Sequence, residues 1–154
     1  MLESCGLSDP KIQHPHARAT LSQTRDFLAA VPFAQLLGIE IHRTHADGGT
    51  LRCKLRDDLL NNAAGLHGGV SATLVDIAVA MAIYHHFGHR RPITTVELKL
   101  NYFRPVPHGT VYARAHLVRI GKTLCVGRVD LTDQKQRAVG AGMATYMIFG
   151  DASQ

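Results

Sequence analysis

Cysteine is scarce in this sequence, and the three residues present, Cys5, Cys53 and Cys125, lie far apart. An odd, scattered set provides neither a disulfide framework nor the spacing of a metal site, so a reducing, cytoplasmic setting is expected. The N-terminus has no basic region followed by an apolar core, and no secretory signal is expected. No Gly-x-Ser-x-Gly elbow occurs, which leaves a serine triad unsupported.

Long hydrophobic runs are also missing. The stretch richest in apolar residues, Val70–Ile83, has about 14 residues and includes Asp76, whereas a membrane span needs roughly 18 without interruption. The sequence therefore predicts no membrane partner.

Runs of charge of one sign are absent, although the net charge is +5 and the sequence pI is about 9.4. A positive net charge of this size is compatible with binding of nucleic acid, an anionic membrane or a phosphorylated small molecule, and also with a solvated positive surface that binds nothing. The basic residues are scattered, with His89-Arg90-Arg91 the densest group, and no arm of the kind that binds nucleic acid is present. We expect no nucleic-acid partner.

The length of 154 residues fits one domain with its own core. Residues 1–20 lack hydrophobic periodicity and are predicted to form a mobile N-terminal tail. Residues 21–150 are predicted to form a single domain, and they contain no internal repeat.

Hydrophobic periodicity predicts the elements of that domain. The sequence predicts a helix over Leu21–Leu37 that breaks at Pro32, a hairpin of two strands, a long helix from Gly68 to about Phe87, and four further strands. The predicted strands are Ile39–His45, Thr50–Leu55, one around Val96–Tyr102, Val111–Arg119, Leu124–Leu131 and Val139–Phe149. Short connections between strands favour an antiparallel sheet. A helix that is apolar on nearly all sides must be buried, which favours an α+β layout with the sheet wrapped around it.

Asp76 is the only charged residue between Gly68 and Tyr84. An unpaired carboxylate in a buried helix is costly, so its presence indicates a functional site. The alternatives are an Asp that pairs with a strand Arg or Lys, or one that turns to solvent at the helix edge.

The predicted start of the same helix carries the segment Gly65-Leu66-His67-Gly68-Gly69. A helix N-terminus offers free N–H groups and partial positive charge, and glycine lets a ligand approach the backbone closely. This suits an oxyanion hole for a carbonyl oxygen that gains negative charge. The alternative is a tight turn that requires glycine for its shape alone.

Together these segments resemble the hotdog thioesterases, and more narrowly the phenylacetate-pathway thioesterases and their mammalian thioesterase-superfamily relatives. The resemblance runs from about Pro32 to Phe149. It rests on Asn61–Gly69, which matches the family's Asn, spacer, His-Gly-Gly pattern, on Ser71–Asp76, Asn101–Pro105 and Gly121–Leu124, and on Val129–Thr132.

The resemblance implies a hotdog fold, hydrolysis of an acyl-CoA thioester without a cofactor or metal, and subunits that join their sheets into dimers and often tetramers. It implies that Asp76 acts as base or nucleophile, that the Gly68 N–H polarises the thioester carbonyl and that Asn61 orients water or substrate. A family hydroxyl matches Thr95, although strand alternation places Thr95 on the face of Glu97.

Further residues are candidates for supporting roles. His67 is a structural hydrogen-bonding residue of the loop or a general base, and Gly69 contributes to substrate binding. Basic residues such as Lys122 and Arg91 would hold the coenzyme A phosphates, or lie on a solvated surface.

Helix geometry predicts that each site is shared between two chains. Asp76 follows Gly68 by eight positions, which is about 12 Å along a helix. An attacking water must contact the base and also stand about 3 Å from a carbonyl carbon whose oxygen meets the N–H donor. Two antiparallel helices across a two-fold axis would pair each Asp76 with the partner's Gly68.

Other functions remain open to the sequence. His85 and His89 have the i, i+4 spacing of metal ligands, or are cations near a helix C-terminus. A hotdog domain can also bind acyl-CoA as a sensor without turnover, but the segment before the first strand lacks a helix-turn-helix pattern. A hotdog dehydratase or hydratase would need a different arrangement of His and acid.

Overall fold

The computed structural model describes residues 17–150, so residues 1–16 of the predicted tail lie outside the described residues. Across the described range the chain forms three α-helices, one short 3-10 helix and six strands. They are α1 (Leu21–Ala29), α2 (Pro32–Leu37), β1 (Ile39–His45), β2 (Gly48–Lys54), the 3-10 helix (Asp57–Leu59), α3 (Gly68–Phe87), β3 (Ile93–Tyr102), β4 (Thr110–Ile120), β5 (Leu124–Asp133) and β6 (Ala138–Ile148).

The first helical segment breaks where the sequence predicts. Thr20 and Gln23 form a capping box at the start of α1, and Pro32 occupies the first turn of α2, where a missing N–H costs nothing. Gly38 ends α2 in the left-handed conformation with φ 68°.

The six strands form one antiparallel sheet in the order β1-β2-β4-β5-β6-β3. Side chains on one face alternate into a core shared with α3, as with Val111, Ala113 and Ala115 on β4. The predicted α+β layout, a curled antiparallel sheet around one long helix, is confirmed.

Helix α3 is the centre of the core. Its 20 residues have a mean hydropathy of 1.4 over an 18-residue window, enough by length and composition to cross a membrane, but 67% of that window is buried within the molecule. Two strand glycines bring the sheet close to the helix. A Cβ on Gly127 would lie 2.7 Å from a Val79 methyl carbon, and a Cβ on Gly142 would lie 3.0 Å from a Val75 methyl carbon.

A β-bulge in β3 overturns the predicted orientation of one residue. The register against β6 shifts between Thr95, opposite Tyr146, and Glu97, opposite Thr145. The extra residue, Val96, is 54% exposed. Because a bulge adds one residue, Thr95 comes to face the helix, and the prediction that it shares a face with Glu97 is wrong.

Strands β1 and β3 form the two edges of the sheet. Strand β3 is ten residues long and is paired only on its β6 side within the described chain. A long unpaired edge presents free backbone N–H and C=O groups.

Candidate active site

The middle of α3 presents the Asp76 carboxylate to strands β3 and β6. The Thr95 hydroxyl donates to Asp76 Oδ1 at 2.9 Å. The Tyr146 hydroxyl lies 2.7 Å from the same Oδ1 atom and 3.0 Å from the backbone oxygen of Asp76. Residues from a helix, an edge strand and an inner strand therefore meet at one carboxylate oxygen.

Hydroxyl groups, not cations, are the partners of Asp76. Among residues 17–150 no Lys or Arg forms an ion pair with it, so the alternative of a structural ion pair does not hold within that range. The second carboxylate oxygen, Oδ2, has no hydrogen-bond partner among the described residues. The side chain is partly exposed, which leaves Oδ2 available to an incoming molecule.

Tyr146 is a permanent hydrogen-bond donor in this cluster. Burial raises the pKa of Tyr146 far above its ordinary value, and the negative charge of Asp76 adds to this, outweighing the hydrogen bond with Thr95. A phenol in that position stays protonated at physiological pH.

At the start of α3, one N–H group has no hydrogen-bond partner within the described residues. His67 is the N-cap, and its Nδ1 atom accepts a hydrogen bond from the Gly69 N–H at 2.9 Å. The Gly68 N–H has no partner among the described residues. The Gly68 carbonyl, which shares a peptide with the Gly69 N–H, accepts a hydrogen bond from the Tyr102 hydroxyl at 3.0 Å.

Asn61 shapes the loop before α3. Its Oδ1 atom accepts hydrogen bonds from the backbone N–H groups of Ala63 at 2.9 Å and Gly65 at 3.1 Å. Its amide nitrogen has no partner among residues 17–150. Asn61 borders a cavity of about 550 Å³ beside Gly68, lined also by Leu66, Gly69, Ser71, Tyr102, Phe103, Arg104, Pro105, Val106 and Val139.

The predicted site residues fall into three separate groups. Asp76 and Thr95 meet at the middle of α3, while Asn61, Gly68 and Gly69 gather at its start, about 12 Å away along the helix. The third group lies beyond the helix C-terminus and in the β4–β5 turn. There Arg91 packs its guanidinium 4.8 Å from the centre of the Phe87 ring, and Lys122 is exposed.

The histidines near the end of α3 have partners in the protein. The two ring nitrogens of His85 lie 2.7 Å from the Ala19 carbonyl oxygen and 3.1 Å from the His45 carbonyl oxygen. Gly88 ends the helix with φ 73°, and His89 Nδ1 lies 2.8 Å from the Phe87 oxygen. The i, i+4 spacing therefore does not place His85 and His89 on one helical face.

Neither cysteine in the described part of the chain is a candidate nucleophile. Cys53 and Cys125 are buried, and burial raises the pKa of Cys125 to about 11, so it remains a thiol at neutral pH. The chemistry of the described chain therefore rests on a carboxylate with one free oxygen and on a free N–H at a helix start. Those groups suit water attack on an acyl carbon.

Two tyrosines of the site escaped sequence reasoning. In the sequence, Tyr102 enters only as the end of a predicted strand and Tyr146 only as one position of the strand Val139–Phe149. A signal existed for Tyr146, because alternation along β6 turns it inward with Ala144 and Ile148, and a buried tyrosine hydroxyl needs a partner.

Comparison with known proteins finds similarity to thioesterases. Residues 65–139 match the family profile described as the Thioesterase superfamily. The medium/long-chain acyl-CoA thioesterase YigI of Escherichia coli is 28% identical over 137 residues, covering 79% of this chain and 88% of that protein.

Solved structures share the fold. A thioesterase from Haemophilus influenzae superposes with a TM-score of 0.79 at 21% identity, covering 88% of this chain and 93% of the other. A variant of the phenylacetic acid degradation protein PaaI from Thermus thermophilus superposes with a TM-score of 0.69 at 25% identity, covering 77% of this chain and 97% of the other.

The curled sheet around one helix is thus the hotdog fold, as the sequence predicts. The chain is similar to the thioesterase superfamily over residues 65–139, and this similarity together with that to YigI identifies it as a thioester hydrolase.

Proposed function

We propose that the protein hydrolyses acyl-CoA thioesters to a free acid and coenzyme A, with Asp76 as the catalytic carboxylate. The observation that carries the proposal is the asymmetry of that carboxylate, because Oδ1 is held by two hydroxyls and Oδ2 is open. The relationship to YigI, named as a medium/long-chain acyl-CoA thioesterase, supports the substrate class.

The proposed reaction needs one proton carrier and one donor to the carbonyl. As base, Asp76 takes a proton from water while the water oxygen bonds to the acyl carbon. The carbonyl oxygen gains negative charge and is stabilised by the Gly68 N–H. The C–S bond then breaks, and Asp76 returns the proton to the departing sulfur, so that coenzyme A leaves as a thiol. As nucleophile, Asp76 would instead bond to the acyl carbon while the C–S bond breaks and the coenzyme A thiolate leaves. Water would then hydrolyse the anhydride to the free acid and the Asp76 carboxylate, and its remaining proton would neutralise the thiolate.

We propose further that two chains build each site. The base and the N–H donor of one chain stand about 12 Å apart, too far to serve one thioester. Strand β3, which carries Thr95, is an unpaired edge with an exposed apolar side chain at Val96. A second copy paired antiparallel along β3 would extend the sheet and set the two α3 helices antiparallel, with each Asp76 facing the partner's helix start.

Complementation between two inactive variants tests the shared site. Asp76→Asn removes the base and Gly68→Val blocks the helix start, and each homodimer should be inactive. Co-refolding the two variants should restore activity, because a mixed dimer retains one intact site. Light scattering that shows an active monomer, or a mixture as inactive as its components, would refute the shared site.

The acyl group is proposed to lie in the cavity beside Gly68, whose walls include the apolar residues Leu66, Val106 and Val139. Arg104 is exposed at the rim of this cavity and is a candidate for binding the coenzyme A phosphates. Lys122 and Arg91 are further candidates outside the cavity lining.

Thiol release from a panel of aliphatic and aryl acyl-CoAs tests the function. Hydrolysis of at least one apolar acyl-CoA is expected. Binding of acyl-CoA without any thiol release would support the non-catalytic sensor instead.

A further inference from the structure

We propose that Tyr146 is a positioning residue of this site. Its hydroxyl holds Asp76 Oδ1 in place, so that Oδ2 is the carboxylate oxygen that takes the proton from water and returns it. The inference rests on the proposed function and deepens it, because it adds a residue and distinguishes the two carboxylate oxygens. No described side chain other than Tyr146 and Thr95 contacts the carboxylate through a hydrogen bond.

Tyr146 is anchored in the core, whereas the Asp76 carboxylate that it contacts is partly exposed. It is 4% exposed and lies on β6, which pairs with β5 on one side and with β3 on the other. Its side chain spans from the sheet to the middle of α3. The hydroxyl reaches both Oδ1 of Asp76 and the backbone oxygen of the same residue, so it fixes the carboxylate relative to the helix.

Thr95 is the weaker restraint of the two. It lies at the bulge of the edge strand β3 and is exposed, whereas Tyr146 belongs to the buried core. Thr95 also contacts only Oδ1, whereas the buried Tyr146 hydroxyl lies within hydrogen-bond distance of both Oδ1 and the backbone oxygen of Asp76. The orientation of the carboxylate therefore depends mainly on Tyr146.

Orientation matters because a carboxylate can rotate about its Cβ–Cγ bond. With both hydroxyls on Oδ1, the lone pairs of Oδ2 point to one fixed place, which is where an attacking water must stand. Without the Tyr146 hydroxyl the carboxylate keeps only the Thr95 bond and samples other orientations. The chemical step then slows, while substrate contacts elsewhere are unchanged.

The test compares Tyr146→Phe with Tyr112→Phe. The first removes only the hydroxyl from the core. The second removes a hydroxyl from β4, where the Tyr112 ring contacts His42 on the outer face of the sheet. Tyr146→Phe should lower kcat by about 10-fold to 100-fold, the range for loss of a hydrogen bond to a charged group. KM should stay nearly unchanged and Tm should fall by less than about 5 °C. Tyr112→Phe should retain wild-type kcat.

A double-mutant cycle with Asp76→Asn separates positioning from packing. If Tyr146 acts through the Asp76 carboxylate, Tyr146→Phe should have no further effect on the residual turnover of Asp76→Asn. Wild-type kcat in Tyr146→Phe, or a similar loss in both backgrounds that follows a lowered Tm, would overturn the proposal. If Asp76→Asn itself is fully active, the proposed function fails, whereas an inactive Asp76→Asn beside a fully active Tyr146→Phe refutes only the role of Tyr146.

Discussion

His67 Nδ1 accepts the hydrogen bond of the Gly69 N–H at 2.9 Å, and the adjacent Gly68 N–H has no hydrogen-bond partner among residues 17–150. The cap of the helix and the donor for the substrate are thus adjacent residues with different tasks. The ring nitrogen that accepts this hydrogen bond is not available as a base while the cap is formed.

The role of His67 can be tested by a pair of substitutions. Asparagine is a strong N-cap, so His67→Asn should preserve both stability and turnover, whereas His67→Ala should lose about 1 kcal/mol of unfolding free energy and keep its turnover. Urea denaturation and thiol release measure both quantities. A His67→Asn enzyme that folds normally but does not turn over would make His67 a general base.

Gly68→Ala should slow hydrolysis by at least about 10-fold, because the added methyl group crowds the donor position for the carbonyl. The same methyl carbon would lie 3.2 Å from the Tyr102 hydroxyl oxygen. Two carbons of the Tyr102 ring would lie 3.3 Å and 3.4 Å away, so the tyrosine must shift slightly to accept the methyl group. Thermal denaturation separates the two effects, because crowding of the substrate alone slows turnover and leaves Tm unchanged. Unchanged turnover in Gly68→Ala would remove Gly68 from the mechanism.

Gly127→Ala should lower the unfolding free energy by about 1–3 kcal/mol, the usual cost of overpacking a core. The new Cβ would lie 2.7 Å and 2.8 Å from the two methyl carbons of Val79 on α3. Gly150→Ala is the control, since nothing lies within 4 Å of its Cβ position. Thermal denaturation measures the stability of both variants. Equal Tm values would contradict the close contact between Gly127 and Val79.

The lowered pKa of the Asp47 carboxyl group predicts that the stability of the fold depends on pH. Burial raises the pKa of Asp47, but hydrogen bonds from Arg114 and His116 outweigh it and bring the pKa down to about 2. A depressed carboxyl pKa stabilises the fold above the unfolded value of about 4, and the contribution disappears as pH falls from about 4 to 2.

Asp47→Asn should therefore be less stable than wild type at pH 6, with the difference shrinking as the pH falls through that window. The side chain is 51% exposed, so solvent screening limits the effect to less than about 1 kcal/mol. Urea titrations at several pH values measure it. A difference that does not change with pH would show that the charge of Asp47 contributes nothing.

The fold was accessible to sequence reasoning because its strongest signals are local. The apolar helix from Gly68 to Phe87 and its end at Gly88 were predicted from composition and glycine placement, and the structure confirms them. Asp76 stood out because it is the one charge in that helix. These features need no knowledge of distant contacts.

The surroundings of Asp76 could not be derived in the same way. A bulge at Val96 adds one residue to a strand and turns Thr95 toward the helix, and nothing in the alternation of the sequence marks that position. The Tyr146 contact joins residues 70 positions apart on different elements. Both depend on how the sheet closes on α3.

The central claim is that Asp76 performs the chemistry, and Asp76→Asn tests it most directly. An amide oxygen can still accept hydrogen bonds from Thr95 and Tyr146, so the fold should hold and Tm should be unchanged or higher. Loss of a general base should lower turnover by about 100-fold to 10,000-fold, while acyl-CoA still binds. Thiol release and thermal denaturation are measured on one sample. Collapsed turnover with a retained Tm is the predicted result, and a fully active Asp76→Asn enzyme would contradict the account.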